Sequence, residues 1–545
     1  MAKKKSTEQD KGLNLESILF NCRDYLRGNA ALMDKRDLLL TLVFLRFIGE
    51  KFEDAQAKMR QECIDSGLTD EAIIEQFLNS PARYVGIAYV PEAARWSMLI
   101  NIPATKLNAA LDDALQAIDD SGESFKGCVR KGLFSQINLE ANVIKKVVDE
   151  VNKISHRAFG EEKDLIGRVY EYFLKSFAVN ATKEDGEFYT PHDIVELIAS
   201  FIEPFDGTLY DPCCGSGGMF VQCAKYVEAK RGDISQVNVY GQESDPATYR
   251  LAKMNLAVRG ISHHLGAKNA STFTDDQHRG LTFDYIMANP PFNLKSWYNE
   301  NLSTDARWVG YCKTTDAEGK TVGTGIPPES NANYAWILHM LSKIDPRHGV
   351  AGFLLANGAL GDTDAQIIRQ NLIEKDKVEA IIVLPRELFY TTDISVTFWI
   401  LNQNKCGGVW HDRRQRDRRG QILFMDLRQW TQNPVKGEQK KKVALSTEQI
   451  KRATEIFFRW QNEGTDGSSY AEPELFRSVG IEELRENDFS LVPSRYIEFV
   501  DRDLKADYEK VLSETTATIS DLLSRQSANE TTLRNALKQL GYDCK

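Results

Sequence analysis

The chain is poor in the features that would suit it to an oxidising, membrane-spanning or metal-stapled setting. Nine cysteines are scattered over 545 residues, an odd number with no C-x-x-C spacing. That pattern excludes a disulfide scaffold and a zinc-ribbon site, and it fits a reducing, cytoplasmic compartment. No apolar run approaches the ~20 residues of a membrane helix. The longest candidate, Leu38 to Ile48, is broken by Thr41 and Arg46. The lysines at positions 3 to 5 have no apolar core behind them, so the N-terminus does not read as a secretory signal. Positive charge is not in excess either. Lys and Arg total 68 against 78 Asp and Glu, a net charge of −10. A protein that grips nucleic acid over its whole surface is excluded, and any such contact must use local patches or a partner. A phosphate loop is missing too: Gly319-Lys320-Thr321 resembles the end of one, but Thr314 stands where the earlier glycine is required.

What is present is an ordinary globular balance, 42% apolar and 27% charged, in a chain long enough for about three domains. Residues 1–155 read as a helical domain. Leu15 to Phe20, Asp37 to Phe52 (with Asp37 as N-cap) and Ala104 to Ile118 place apolar residues three and four apart. From residue 156 strands alternate with amphipathic helices. Thr208–Asp211, Val237–Gly241, Phe283–Ala288, Val350–Leu355, Val378–Leu384 and Val396–Leu401 read as strands. Gly218–Lys230, Ala247–Arg259, Ala335–Ile344 and Ala365–Ile373 read as helices. The alternation predicts an α/β fold with a doubly wound, mostly parallel sheet over 156–475. Such sheets take ligands beyond the strands' carboxyl ends, where the strand order reverses. After residue 403 the sequence reads as irregular and charged. Arg413, Arg414, Arg416, Arg418 and Arg419 form one basic cluster and Lys436, Lys440, Lys441 and Lys442 another, both candidates for phosphate contacts. Residues 476–545 are expected to end in a helical tail, Leu504 to Leu540, with an imperfect apolar seam that suits docking on a partner.

Two constellations carry chemistry. Asp211-Pro-Cys-Cys-Gly215-Ser216-Gly217-Gly218 follows a strand and opens a helix. Its glycines allow a tight turn and close approach of a ligand, and the helix N-terminus offers free N–H groups. Glu243, at the end of the next strand, stands where a carboxylate would take two ribose hydroxyls. The second is Asn289-Pro290-Pro291-Phe292 at the end of the strand Phe283–Ala288. The double proline fixes φ and ends the ladder. An Asn side-chain oxygen and the next carbonyl, held rigid, can both accept from one exocyclic NH₂, and Phe292 offers a face to an extruded base.

Together these motifs resemble those of an S-adenosylmethionine-dependent DNA methyltransferase acting on adenine N6. With Gly186-Glu187-Phe188-Tyr189-Thr190-Pro191-His192 upstream, and Val383-Leu-Pro385 with Leu388-Phe389 downstream, the chain resembles the modification subunit of type I restriction–modification systems. The resemblance implies that Glu187, Phe188, Tyr189, Thr190, Pro191 and His192 line the cofactor S-adenosyl-L-methionine with Asp211, Gly215, Ser216, Gly217 and Gly218. Glu243 would take the ribose, and Asn289, Pro290, Pro291 and Phe292 the flipped adenine. It implies a mobile loop over Asn293 to Asn333, and no metal. It also implies double-stranded DNA as substrate, a separate specificity subunit bound by two copies of this chain, and a motor-nuclease restriction subunit. A stand-alone adenine methyltransferase and a protein-glutamine or RNA amino-methyltransferase are the alternatives. Paired Cys213 and Cys214, where such turns commonly carry small residues, are read as packing beneath it.

Overall fold

The computed structural model of the chain describes residues 15–539 apart from 85–88, 122–125, 155–168, 170–171, 173–189, 232–233, 316–317, 390–393, 431–442 and 500–507. The second basic cluster and Glu187, Phe188 and Tyr189 therefore lie outside the described residues.

The N-terminal region is helical, as its periodicity predicts. Its longest helix runs Leu32–Asp65 with Ala31 at its N-cap, so Asp37 lies inside it and does not start it. The apolar spacing continues upstream of Asp37, which pairs instead with the buried Arg36. Leu38, Leu42, Phe44 and Leu45 form a core with Leu107, Leu111 and Leu115 of the helix Ala104–Asp119 and Ile144 and Val148 of the helix Ala141–Asn152.

The central sheet is built from β1 (Gly207–Asp211), β2 (Val237–Gly241), β3 (His263–His264), β4 (Tyr285–Ala288), β7 (Val350–Ala356), β8 (Val378–Val383), β9 (Val396–Asn402), β12 (Gln421–Asp426), β13 (Ala471–Glu472) and β14 (Phe476–Gly480). Two small hairpins, β5 (Thr314–Thr315) with β6 (Thr321–Val322) and β10 (Gly408–Trp410) with β11 (Arg413–Gln415), stand apart from it. The Gly319-Lys320-Thr321 tripeptide thus leads into a hairpin strand. The strand order is β13-β14-β12-β8-β9-β7-β4-β1-β2-β3. β1 pairs in parallel with β2 and with β4, and β4 in parallel with β7. β9 runs antiparallel between β7 and β8, an orientation that the strand–helix alternation does not reveal. The order reverses between β1 and β4, so their carboxyl ends open on one crevice.

Strand side chains alternate between two apolar layers. Leu209, Met287, Leu354 and Phe398 pack with the helices His192–Ile202 and Thr447–Gln461. Tyr210, Ile286, Phe353 and Trp399 pack with the helix Asn333–Lys343. Residues after 403 are more regular than their charge suggests. Ser446 and Gln449 form a reciprocal capping box that starts the helix Thr447–Gln461. β14 pairs with β12, and Val479, Leu491, Tyr496 and Ile497 are buried in the sheet's core. Residues Phe476 to Ile497, expected as part of the C-terminal segment, thus pack with the sheet.

One helix joins the two cores. In Pro246–Val258, Leu251, Met254 and Val258 belong to the N-terminal core, while Tyr249, Ala252 and Leu256 belong to the sheet's. The Lys51 ammonium caps its last turn by donating to the carbonyl of Val258 at 2.6 Å.

The Arg413–Arg419 cluster is not an open basic surface. Arg418 is fully buried and its Nε donates to Oε1 of the equally buried Glu379 at 2.8 Å. Gln461 and Asn402 donate to the same carboxylate. Arg413 pairs with Glu203 and stacks on Phe458, and Arg416 stacks on Trp460. The linear sequence shows the charges but not these distant partners. Removing one member of a buried pair leaves the other charge uncompensated. Arg418→Ala is therefore expected to lower the unfolding free energy by about 3–5 kcal/mol. Arg419→Ala, whose exposed side chain meets Asp417, should leave the denaturation midpoint in place. Urea titrations of the two variants check the contrast.

Candidate functional site

The crevice at the β1–β4 switch has two walls. The first is the turn after β1. Asp211 is 2% exposed, and its Oδ1 accepts from the amide of Cys213 at 3.0 Å. Gly215 and Gly217 sit at φ +54° and +75°, the left-handed region that side chains resist. Built this way, the turn delivers the amide of Gly215 to Oε2 of Glu243 at 3.0 Å, while Oε1 takes the amide of Asp245 at 2.8 Å. Asp211, the glycine turn and Glu243 are thus one hydrogen-bonded unit. Oε1 also accepts from the Ser244 hydroxyl at 3.3 Å, while Oε2 has spent one lone pair on backbone and keeps another for a ligand. Gly218 opens the helix Gly218–Arg231, and the carbonyl of Ser216 accepts from Asn255 at 2.8 Å.

Burial governs the acids here. Desolvation pushes Asp211 up to about 7, with the charge of Glu243 adding to it, and burial also raises Glu243. Desolvation likewise holds Cys213 and Cys214 well above the thiol range. Both are protonated packing groups, not nucleophiles.

The second wall is the turn after β4. The side-chain Nδ2 of Asn289 donates to Thr190 Oγ1 at 2.9 Å, while its buried Oδ1 has no hydrogen-bond donor among the described residues. A buried acceptor left open costs about 1–3 kcal/mol and calls for an explanation. Pro290 is buried, and Phe292 meets Phe389 edge-to-face at 5.9 Å. Asn293, at φ +53°, exchanges two hydrogen bonds with the buried Asn333.

Of the residues singled out in the sequence, the structure brings Asp211, Gly215 to Gly218 and Glu243 to one wall. Asn289 to Phe292 form the other. Thr190 comes to Asn289 from the upstream motif. Pro191 precedes the helix His192–Ile202 as its N-cap. His192 is largely exposed and lies 3.7 Å from Glu196. Sequence reasoning missed Phe389 as a partner of Phe292, because it lies 97 positions further along the chain. The segment 293–333, expected as a loop, is packed: Trp297, Leu302, Trp308 and Cys312 are buried. No group of side chains able to hold a metal occurs among the described residues.

The family model for N-6 DNA Methylase matches residues 161–503, and that for the HsdM N-terminal domain matches residues 15–151. The chain is 33% identical over 479 residues to the type I restriction enzyme HindI methylase subunit of Haemophilus influenzae, covering 83% of this chain and all of that one. It is 29% identical to the MjaIX methylase subunit of Methanocaldococcus jannaschii, over 97% of this chain and 91% of that one. The crystal structure of a type I restriction-modification methyltransferase subunit from Streptococcus thermophilus superimposes with a TM-score of 0.70 at 23% identity, over 88% of this chain and 98% of that one.

The raised Asp211 has a consequence for stability. Its carboxyl binds a proton more tightly folded than unfolded, so its contribution is largest below pH 4 and is lost as pH rises through about 7. Asp211→Asn keeps the acceptor for the Cys213 amide and removes the titration. Between pH 5 and pH 8 the native chain should lose about 2 kcal/mol of unfolding free energy relative to this variant. Denaturation at the two pH values measures it.

Proposed function

The chain belongs to the N-6 DNA methylase family and carries the HsdM N-terminal domain, and from that footing we propose that its β1–β4 crevice holds S-adenosylmethionine against an adenine turned out of duplex DNA. It is the methyltransferase subunit of a type I restriction–modification system, an adenine-specific DNA methyltransferase. The match over both regions favours this reading over a stand-alone enzyme or a glutamine or RNA methyltransferase.

The observation that carries the site assignment is the open Asn289 Oδ1. It is buried, rigidly placed after β4 and oriented by Thr190, so an incoming N–H donor gains a full bond at no cost of reorganisation. Adenine N6 brings that donor. With Oδ1 and the Pro290 carbonyl both accepting from it, the amine lone pair turns out of the ring's conjugation, and the positive charge it gains in the attack is stabilised. Phe292, backed by Phe389, stacks on the base.

The other wall fits the cofactor. Left-handed Gly215 and Gly217 let the backbone approach it, and Glu243 takes the ribose hydroxyls. Asp211 and Glu243 place two desolvated carboxyls where positive groups lower their cost of ionisation. When bound, S-adenosylmethionine supplies a methyl group on a sulfonium whose thioether leaves. Since N6 itself attacks, no cysteine nucleophile is required, consistent with the protonated Cys213 and Cys214.

Sequence choice falls to a partner. The described basic cluster is engaged internally, and base-edge reading needs a dedicated surface in a groove. A separate specificity subunit, bound by two copies of this chain, supplies it, and a motor-nuclease subunit joins for restriction. The contact we assign to that subunit is the helix Tyr508–Gln539, whose Leu512, Ile519, Leu523 and Leu533 are all more than half exposed. Contiguous exposed apolar side chains mark an interaction surface.

Labelled-methyl transfer to adenine-containing duplex, with and without the specificity subunit, tests the reading. Asn289→Ala should lower that transfer by at least ~10² while cofactor affinity stays near native, the scale of one preorganised contact. Transfer at the native rate would move the acceptor site elsewhere. A chain ending at Phe499 should bind S-adenosylmethionine but fail to co-purify with the specificity subunit. Continued assembly would shift the contact to the N-terminal domain.

A further inference from the structure

One side chain of the segment between Phe292 and Asn333 ties it by hydrogen bonds to residues 272–273 and to His339. Arg307 is 12% exposed and uses all five of its N–H donors. Nε and Nη2 donate to Asp305 at 2.8 and 2.6 Å, within the same segment. The remaining donors leave it. Nη2 reaches the carbonyl of Phe273 at 2.6 Å, and Nη1 reaches the carbonyl of Thr272 and Nδ1 of His339, each at 3.0 Å.

Both destinations lead to the turn after β1. The hydroxyl of Thr272 is buried and donates to the carbonyl of Pro212, next to Asp211. Two residues earlier, the amide of Ala270 donates to the carbonyl of Glu243 at 2.9 Å. Residues 270–273 are therefore part of the cofactor wall. The second route passes through the buried His339. Its Nδ1 accepts from Arg307, so the neutral ring carries its proton on Nε2, which meets the hydroxyl of Tyr210 at 3.2 Å. Tyr210 directly precedes Asp211 in β1. At its own end, the segment is pinned to the base-binding turn by the Asn293–Asn333 pair.

We propose that Arg307 is a positioning residue for methyl transfer, locking the segment that follows Asn289–Phe292 onto the cofactor wall so that binding on one side orders the other. This rests on the assignment of the crevice to S-adenosylmethionine and adenine. A planar fork with five donors is what the geometry uses; a lysine offers three donors at one point and cannot span Asp305, two carbonyls and an imidazole.

Hydrogen exchange of the full-length chain with and without S-adenosylhomocysteine tests the linkage. In the native chain the product is expected to slow exchange both at 211–218 and at 294–332. In Arg307→Lys the slowing should persist at 211–218 and vanish at 294–332. Thr272→Val, which cuts the link to Pro212 and leaves every Arg307 bond in place, should behave alike and guards against a variant that merely misfolds. In the complex with the specificity subunit, both variants should lose about 10- to 100-fold in kcat, the scale of misplaced reacting groups, and Arg307→Lys, which leaves the bond from Thr272 to Pro212 in place, should keep KM for S-adenosylmethionine nearly unchanged. Retained slowing at 294–332 in both variants would overturn the proposal. So would loss of slowing at both places, since Arg307 would then only support the cofactor wall. Absence of slowing at 211–218 in the native chain would instead overturn the cofactor assignment itself, and this linkage with it.

Discussion

Two short parallel strands lie side by side, Leu209 opposite Tyr285 and Tyr210 opposite Ile286, and the site follows from that pairing. Because β1 and β4 run the same way, the turns that end them emerge at one edge of the sheet. Because the chain order reverses between them, no helix crosses over the gap. The glycine turn and the double-proline turn then face each other without further adjustment. Each is stiff for its own reason. One is closed by bonds from Gly215 and Asp245 to Glu243, the other by prolines that admit no other φ.

The site illustrates how burial can serve chemistry. An isolated carboxyl and an amide oxygen are both costly to desolvate. Here Asp211 is held near neutrality and Asn289 keeps an unfilled acceptor. A ligand that carries positive charge past the first and an N–H to the second relieves both penalties together, so affinity and orientation come from the same groups. Neither cost could be sustained on a flexible loop, where water would fill the acceptor and the acid would ionise.

Much of this was legible in the sequence because its signals are local. Asp211 to Gly218 and Asn289 to Phe292 each state a strand end, a turn and a chemistry within eight residues. The longer strands and helices expected between Thr208 and Leu401 lie within two residues of those observed, whereas the two-residue strands β3, β5 and β6 leave no such signal. What stayed hidden depends on partners far along the chain. Arg418 looks solvated until Glu379 is known to lie beside it, and Asp37 looks like a cap until the helix is seen to begin at Leu32. The antiparallel sense of β9 has no signature in its own apolar run, since a strand buried on both faces reads the same in either direction. Residues 476–497 read as part of the tail because charge around them masks the short run Phe476–Gly480 that pairs with β12. The capping box at Ser446 was a readable signal that the surrounding charge obscured.

The helix Pro246–Val258 has a bearing on how the protein is made. Leu251, Met254 and Val258 complete a core whose other members precede residue 173. During synthesis the N-terminal helices therefore emerge with part of their interior missing, and the missing strip arrives only after about 80 further residues of the sheet domain have been added. Until then an apolar seam along the helix Leu32–Asp65 stays open to water and to other nascent chains. Folding in chain order leaves that strip of the first core unfilled until the second domain has been made. The chain's first domain is finished by its second, and a fragment cut at the apparent boundary inherits an unfinished surface.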